Sequence, residues 1–427
     1  MRSVYLVRHA LPDIPIGARW CVGHTDLPLG TVGRMQAALL PFVPVLRGKP
    51  VFCSYLSRAV DTARPLCAEP MIREGLEEQD MGIWDGLSFD EIMVRYPALY
   101  AAREKDPNIW PESAEDMVSV GRRMKAALRR CLDESEGDIV VVSHKSAIDT
   151  ARLLCAEPMI REGLEEQDMG VWDGLSFDEI MVRYPELYAA REQDPTIWPK
   201  EAEDMVSVGM RMRAALNRCL DETEGDIVVV SHKSAIDSIT GQRKKLLHTS
   251  VSRVGWDGAE LRPLEVGQLP HPDLTDEVCM AVLHAAGTPE PVIAHCRAVA
   301  EEALRLADRL PAGEPAPDRA LLYAAALLHD VARTEARHAE TGAAWVRALG
   351  YPEVADVIAL HHDFEGDSLN EAALLFLADK YIRGTDRVSL EERFAASADR
   401  CADEEARCAH ERRCQAAKRL EKRFLSR

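Results

Sequence analysis

The stretch Val140-Val141-Val142-Ser143-His144-Lys145-Ser146-Ala147-Ile148-Asp149 reads as a buried strand that ends in a histidine. An unbroken apolar run, rather than an alternating one, is the pattern of a strand covered on both faces, as in a largely parallel sheet. The same ten residues recur letter for letter from Val228 to Asp237. An active site normally needs such a histidine once, so the repetition bears directly on the fold.

The repeat is far longer than ten residues. Positions 61–148 align without a gap onto 149–236, an offset of 88 residues, and only eleven positions differ. Swaps such as Lys105/Gln193, Asn108/Thr196 and Glu112/Lys200 suit a solvated face, whereas the Leu-Glu-Glu-Gln-Asp-Met-Gly and Trp-Asp-Gly runs are unchanged. A period this long, present twice, is too sparse for a solenoid and implies a tandem duplication inside one domain. The edges agree: Ser57-Arg58-Ala59-Val60-Asp61-Thr62-Ala63 resembles Ser146-Ala147-Ile148-Asp149-Thr150-Ala151.

Composition frames what surrounds the repeat. The 427 residues suffice for two or three domains, and 47% hydrophobic with 29% charged residues is a globular mix. A formal charge of -19 repels phosphate backbones and anionic lipid, which argues against nucleic-acid and membrane partners. The eleven cysteines include no C-x-x-C pair, and the chain opens on strand-like SVYLV. The expectation is a soluble protein of a reducing cytoplasm, its cysteines serving as small core residues.

A proline-rich stretch near 264–276 separates two architectures. Residues 1–265 alternate apolar runs (SVYLVRHA, PVFCS, DIVVVS) with amphipathic segments, the pattern of an α/β sandwich. Residues 276–427 carry helical period throughout. In the first domain, polar residues collect at the carboxyl ends of strands, where open α/β sheets place ligands. Arg8 and His9 follow the first strand, Ser54 and Arg58 the second, and His144, or its copy His232, the last. Guanidinium forks hold phosphate oxygens, and an imidazole can carry a phosphoryl group. Two arginines and two histidines around one anion form a phosphoryl-transfer pocket.

These motifs, LVRHA at 6–10, GHTDLPLGTVGRMQAAL at 23–39, CSYLSRAVDTA at 53–63, LEEQDMGIWDG at 76–86 and VVVSHKSAI at 140–148, resemble the histidine phosphatases of the phosphoglycerate-mutase-like superfamily. The resemblance implies a three-layer α/β sandwich with no cofactor, His9 as the phosphorylated nucleophile, and Arg8, Arg58 and His144 or His232 on the phosphoryl group. Glu78, or its copy Glu166, falls at the general acid. Ala10 departs from the usual glycine, and Lys145-Ser146 stands where small glycines are common. Because Arg8, His9 and Arg58 occur once, one complete site is the maximum. Sequential folding favours the first copy beside the N-terminal strands, whereas the C-terminal strands pull toward the second.

The second domain holds His295, His329, Asp330, His338, His361 and Asp379, each on, or at the edge of, an apolar helical run. Imidazoles with carboxylates on apolar helices suit a divalent transition metal, and an aspartate can bridge two ions. The order H…HD…H…H…D, with AALLHDVA at its centre, resembles the HD-domain metal phosphohydrolases over about 290–390. That resemblance implies an all-α domain with His295, His329, Asp330 and Asp379 as core ligands and His338 and His361 as an extra pair. The metal, Fe, Mn, Zn or similar, stays open. Lys380, Arg383 or Arg387 would meet phosphate oxygens, and residues 390–427 read as a charged, solvated packing helix.

Two functions follow. One is a bifunctional hydrolase acting on a small phosphorylated metabolite or nucleotide; the other is an HD hydrolase beside an impaired, ligand-binding or scaffolding phosphatase-like domain. The surplus half-domain leaves a sheet edge to cover, so a homo-oligomer also fits.

Overall fold

The computed structural model describes residues 2–105, 109–152, 168–172, 177–193, 197–221, 251–256, 261–268, 271–311, 313–399 and 401–425. Glu166 and His232 lie outside the described residues. In chain order the strands of the first domain are β1 (Arg2–Arg8), β2 (Trp20–Cys21), β3 (Val51–Cys53), β4 (Met71–Ile72), β5 (Leu87–Ser88), β6 (Ile139–Ser143), β7 (Val251–Trp256) and β8 (Leu261–Gln268). Six of them form one sheet in the order β4-β3-β6-β1-β7-β8, while β2 and β5 pair with each other outside it.

The apolar run of the first copy is β6, the strand between β3 and β1 and parallel to both. Alternate residues serve opposite faces. Val4, Leu6, Phe52, Ile139 and Val141 pack with Val120, Met124 and Leu128 of the helix Met117–Asp133. Tyr5, Val7, Val51, Cys53, Val140 and Val142 pack on the other side with Leu40, Leu46, Ala59 and Ala63. With both faces covered, the sheet is the middle of three layers, as the sequence predicts. Fully burying one such aliphatic side chain contributes about 1.5–3 kcal/mol. Antiparallel β7 extends the sheet beyond β1, and β8 reaches Gln268, slightly past the boundary expected at 265.

The second copy repeats the local structure of the first. A short 3-10 turn at Gly170–Trp172 and helices Phe177–Arg183, Pro185–Gln193 and Met205–Asp221 match Gly82–Trp84, Phe89–Arg95, Pro97–Lys105 and Met117–Asp133. Local contacts recur as well: the Arg211–Glu203 ion pair at 2.7 Å copies Arg123–Glu115 at 2.7 Å. Among the described residues, every sheet strand belongs to the first copy or to single-copy sequence. Among the described residues, the helix Lys145–Arg152 follows β6, and the next strand of the sheet begins at Val251. None of the differing positions described in the first copy is buried; Pro65, Ala98 and Arg122 are exposed and Lys125 is half-buried.

The second domain comprises helices Asp276–Ala286, Glu290–Ala307, Arg319–Leu328, His338–Ala348, Pro352–Ala359, Glu371–Tyr381, Leu390–Ala398 and Glu404–Leu425. Among the described residues, it departs from the all-helical expectation only in a small hairpin, Ile382–Arg383 with Asp386–Arg387. The last helix packs through buried Ala416, Ala417 and Leu420. The two domains share a core: Leu11, Val32, Met35 and Leu39 belong to the same apolar cluster as Val278, Cys279, Val282 and Leu283. Among the described residues, no helix is long and apolar enough to cross a membrane.

Removing residues 149–236 would join Ile148 to Asp237, recreating the Ile-Asp step that stands at 148–149. The shortened chain is expected to unfold cooperatively with a Tm within about 4 °C of the full chain. Differential scanning calorimetry checks this, and a collapsed or aggregated deletion variant would contradict it.

Candidate active sites

The carboxyl end of β1 turns directly into the first cluster. His9 N donates to Ser143 O of β6 at 2.8 Å, which ties the residue after β1 to the end of β6. The His9 ring lies 4.9 Å, centroid to centroid, from the ring of His144, and both are buried. His9 Nδ1 is 2.7 Å from the carbonyl oxygen of Ala10. A carbonyl only accepts, so Nδ1 carries the proton and the basic lone pair lies on Nε2.

Arg58 is fully buried, and its guanidinium donates to Thr25 O at 2.9 Å and to Gly23 O at 2.6 Å. Burial lowers the pKa of Arg8 and of Arg58, with Glu78 opposing it in both. Both stay charged at neutral pH. Burial, then Arg58 and Arg8, push His144 well below the ordinary histidine range, so its ring is neutral. Neither ring nitrogen of His144 has a hydrogen-bond partner among the described residues. Buried polar atoms of that kind ask for a ligand.

Glu78 completes the cluster. Its carboxylate accepts from Ser146 N and Ala147 N, both at 3.3 Å, at the start of the helix Lys145–Arg152. Its backbone oxygen accepts from Arg123 Nη2 at 2.7 Å and from His24 Nε2 at 3.0 Å. Arg8, His9, Arg58, Glu78 and His144 thus gather at one end of the sheet. Arg123 and His24 carry no signal of this role in the sequence, since Arg123 is one of many residues repeated in the second copy. Lys145 pairs with Asp149 at 2.8 Å along its own helix, in keeping with an ordinary solvated lysine.

The second cluster is built from helix ends. His329 follows the helix Arg319–Leu328, His338 opens the helix His338–Ala348, and His361 and His362 follow the helix Pro352–Ala359. Three Nδ1 atoms meet backbone carbonyls: His295 with Gly384 at 2.9 Å, His329 with Ala326 at 2.7 Å and His361 with Ile358 at 2.7 Å. The Nε2 atoms of His329 and His361 consequently carry the lone pairs, whereas His295 Nε2 faces Asp379 Oδ1 at 3.2 Å. His329 Nε2 and His361 Nε2 are buried without a hydrogen-bond partner among the described residues. Asp330 stands between two sets, with Oδ2 3.7 Å from His329 Nε2 and Oδ1 3.2 Å from His338 Nε2.

Two groups have ligand atoms mutually within 4.8 Å: His295, His329 and Asp379, and His338, His361 and His362. His362 was missed as a member, although it adjoins His361; its Nε2 lies 2.7 Å from His338 Nε2. Burial raises the pKa of Asp379, but Lys380 and His295 outweigh it and hold the carboxyl well below the carboxylate range. Burial, then Lys380, lower the pKa of His362 to about 3.

Of the cations expected at phosphate oxygens, Lys380 and Arg387 are paired within the domain. Lys380 is buried and donates to Asp379 Oδ2 at 2.7 Å and to His361 O at 3.1 Å, because a buried ammonium needs acceptors. Arg387 pairs with Glu302 at 3.1 Å, and Arg383 is exposed. The guanidiniums lining the 230 Å³ cleft are instead those of Arg333 and Arg393, beside His295, Asp330, His362 and Asp379.

The sequence pattern of the histidine phosphatase superfamily (branch 1) matches residues 4–155 and again 145–268. The chain belongs to the histidine phosphatase superfamily. An HD domain pattern matches residues 292–384, so this histidine phosphatase chain joins a phosphatase module to a phosphohydrolase module. It is 34% identical to a Mycobacterium tuberculosis protein named as bifunctional, over 27% of this chain and 34% of that protein. It is 29% identical to the 6-phosphofructo-2-kinase/fructose-2,6-bisphosphatase of Gallus gallus, over 34% of this chain and 31% of that protein. The chain spans about a third of the length of these curated relatives. A mycobacterial glucosyl-3-phosphoglycerate phosphatase structure is 26% identical and covers 36% of this chain and 79% of its own, with a TM-score of 0.32.

The histidine phosphatase cluster has a pH signature. The depressed His144 of the native state stays neutral where an unfolded histidine, with a pKa near 6.5, takes up a proton. The unfolded state therefore gains protons as pH falls through about 6.5, and stability falls with it. Between about pH 7 and pH 5 the wild-type protein is expected to lose more stability than His144→Gln, by up to about 2 kcal/mol. Urea unfolding of both proteins across that range tests this, and identical acid-side slopes would contradict it.

Proposed function

We propose that the first domain hydrolyses small phosphomonoesters through a phosphohistidine at His9, with the first copy supplying His144 and Glu78. The observation that carries this reading is the His9 ring: its Nδ1 is committed to Ala10 O at 2.7 Å beside His144, Arg8 and Arg58. The phosphoryl oxygens lie among Arg8, Arg58 and His144, whose donors match the charge of an anion. His9 Nε2 attacks phosphorus while Glu78 protonates the departing alkoxide. Water then attacks the phosphohistidine, with Glu78 taking its proton. The copy residues Glu166 and His232 have no part in this reading, because β6 of the first copy fills the place between β1 and β3.

The second domain, in the same proposal, is a metal-dependent phosphohydrolase acting on nucleotides or related phosphates. The buried Nε2 atoms of His329 and His361, without a hydrogen-bond partner among the described residues, and the carboxylates beside them fit divalent ions. His295, His329, Asp330 and Asp379 would hold one ion, and His338, His361 and His362 a second, with Asp330 shared. Such ions supply Lewis-acid polarisation of a phosphate ester or anhydride. Arg333 and Arg393 bind phosphate oxygens at the cleft, and Lys380 fixes the orientation of Asp379.

Hydrolysis of p-nitrophenyl phosphate is expected to persist in chelator and to fall about a thousandfold or more in His9→Ala. Hydrolysis of nucleotides is expected to survive His9→Ala and to be lost in chelator or in Asp330→Asn. Phosphomonoesterase activity absent from the wild-type protein, with metal-dependent hydrolysis retained, would instead support a scaffolding first domain.

A further inference from the structure

We propose that Gln36 is a positioning residue through which the HD domain fixes the ring of His9; the inference rests on His9 being the nucleophile. Gln36 lies on the helix Thr31–Leu39 and is buried between the domains. Its Oε1 accepts from Leu11 N at 2.9 Å, and its Nε2 donates to Ala348 O at 3.3 Å. Ala348 ends the helix His338–Ala348 of the HD domain.

The bond to Leu11 reaches His9 through a single peptide unit. The Leu11 N–H and the Ala10 carbonyl share one planar peptide, so the orientation of one end sets that of the other. That carbonyl accepts from His9 Nδ1 at 2.7 Å. Gln36 therefore holds one end of the peptide whose other end holds the proton on Nδ1 and the lone pair on Nε2. A glutamine amide can turn end over end, and its partners decide which end is which. The Ala348 carbonyl can only accept, so the amide NH2 faces the HD domain and Oε1 faces Leu11.

The local fit supports the same relay. At Gly33, one turn before Gln36, a Cβ would lie 2.0 Å from Leu11 O, so the loop after His9 rests directly on this helix. The preceding peptide is fixed within the phosphatase domain, by Ala10 N donating to Thr62 Oγ1 at 2.9 Å. Of these two peptides, the Ala10–Leu11 peptide is the one fixed by way of the HD domain. Arg34 offers a comparison, because its Nε donates to Ala285 O at 3.3 Å across the same interface without touching the loop.

Losing the relay would let the peptide rotate and the His9 proton move to Nε2, which blocks attack but leaves the phosphate-binding groups in place. In the full-length chain, Gln36→Met should lower phosphatase kcat about tenfold to a hundredfold with KM nearly unchanged, as misplacement of a reacting group does. Arg34→Ala should keep kcat within about twofold, the range of a surface contact. Wild-type kcat in Gln36→Met, or an equal loss in Arg34→Ala, would overturn the proposal. Nitrogen-15 histidine spectra of the unaltered protein give a second readout, the His9 signal being identified by its disappearance in His9→Gln. Protonation at Nδ1 is expected, and protonation at Nε2 overturns the relay even if Gln36→Met fails to fold. Full activity in His9→Ala would instead remove the catalytic reading beneath it, while the tautomer stands as measured.

Discussion

One parallel sheet has one place between β1 and β3, and the chain carries two identical strands to fill it. The backbone bonds of β6 to both neighbours settle which strand of the sequence shapes the site. Through that pairing Ser143 comes beside Arg8, His9 is tied to Ser143 O, and His144 arrives next to His9. The helix after β6 then presents its first amides to Glu78. The cluster follows from the register of one strand. The described part of the second copy keeps the helices of the first.

Both clusters use the same device on unrelated frameworks. His9, His295, His329 and His361 each place Nδ1 against a backbone carbonyl. A carbonyl tolerates only a proton there, so Nε2 is the nitrogen each ring turns toward its site, with a carboxylate beside it at His295 and His329. On the sheet that nitrogen suits phosphorus, and among the helices it suits a metal. Tautomers set by the main chain are insensitive to the side-chain substitutions that would disturb a carboxylate partner.

The sequence was most legible where chemistry sits at the end of a regular element. The apolar runs of β1 and β6 and the helices around the HD motif lie where their periodicity puts them, and His295, His329, Asp330, His338, His361 and Asp379 stand on or beside those helices. Contacts across elements were not legible. The arginines at the HD cleft, Arg333 and Arg393, stand 60 residues apart in the sequence and carry no motif. The burial of Lys380 depends on how His361 and Asp379 converge, which no local pattern records. The shared core of the two domains was also hidden: the helix Thr31–Leu39 is apolar on faces that either a sheet or a second domain could cover. A proline-rich linker marks where a chain changes architecture, not whether the parts then dock.

Among the described residues, the differences between the copies fall outside the buried positions of the first. The instructions for the central strand, its covering helix and the residues at its end are therefore written twice in the chain, with the variation confined to places where packing does not read it. Seen as stored information, the sheet has a spare: substitutions can gather in one copy while an unaltered set of the same core side chains stands 88 residues away.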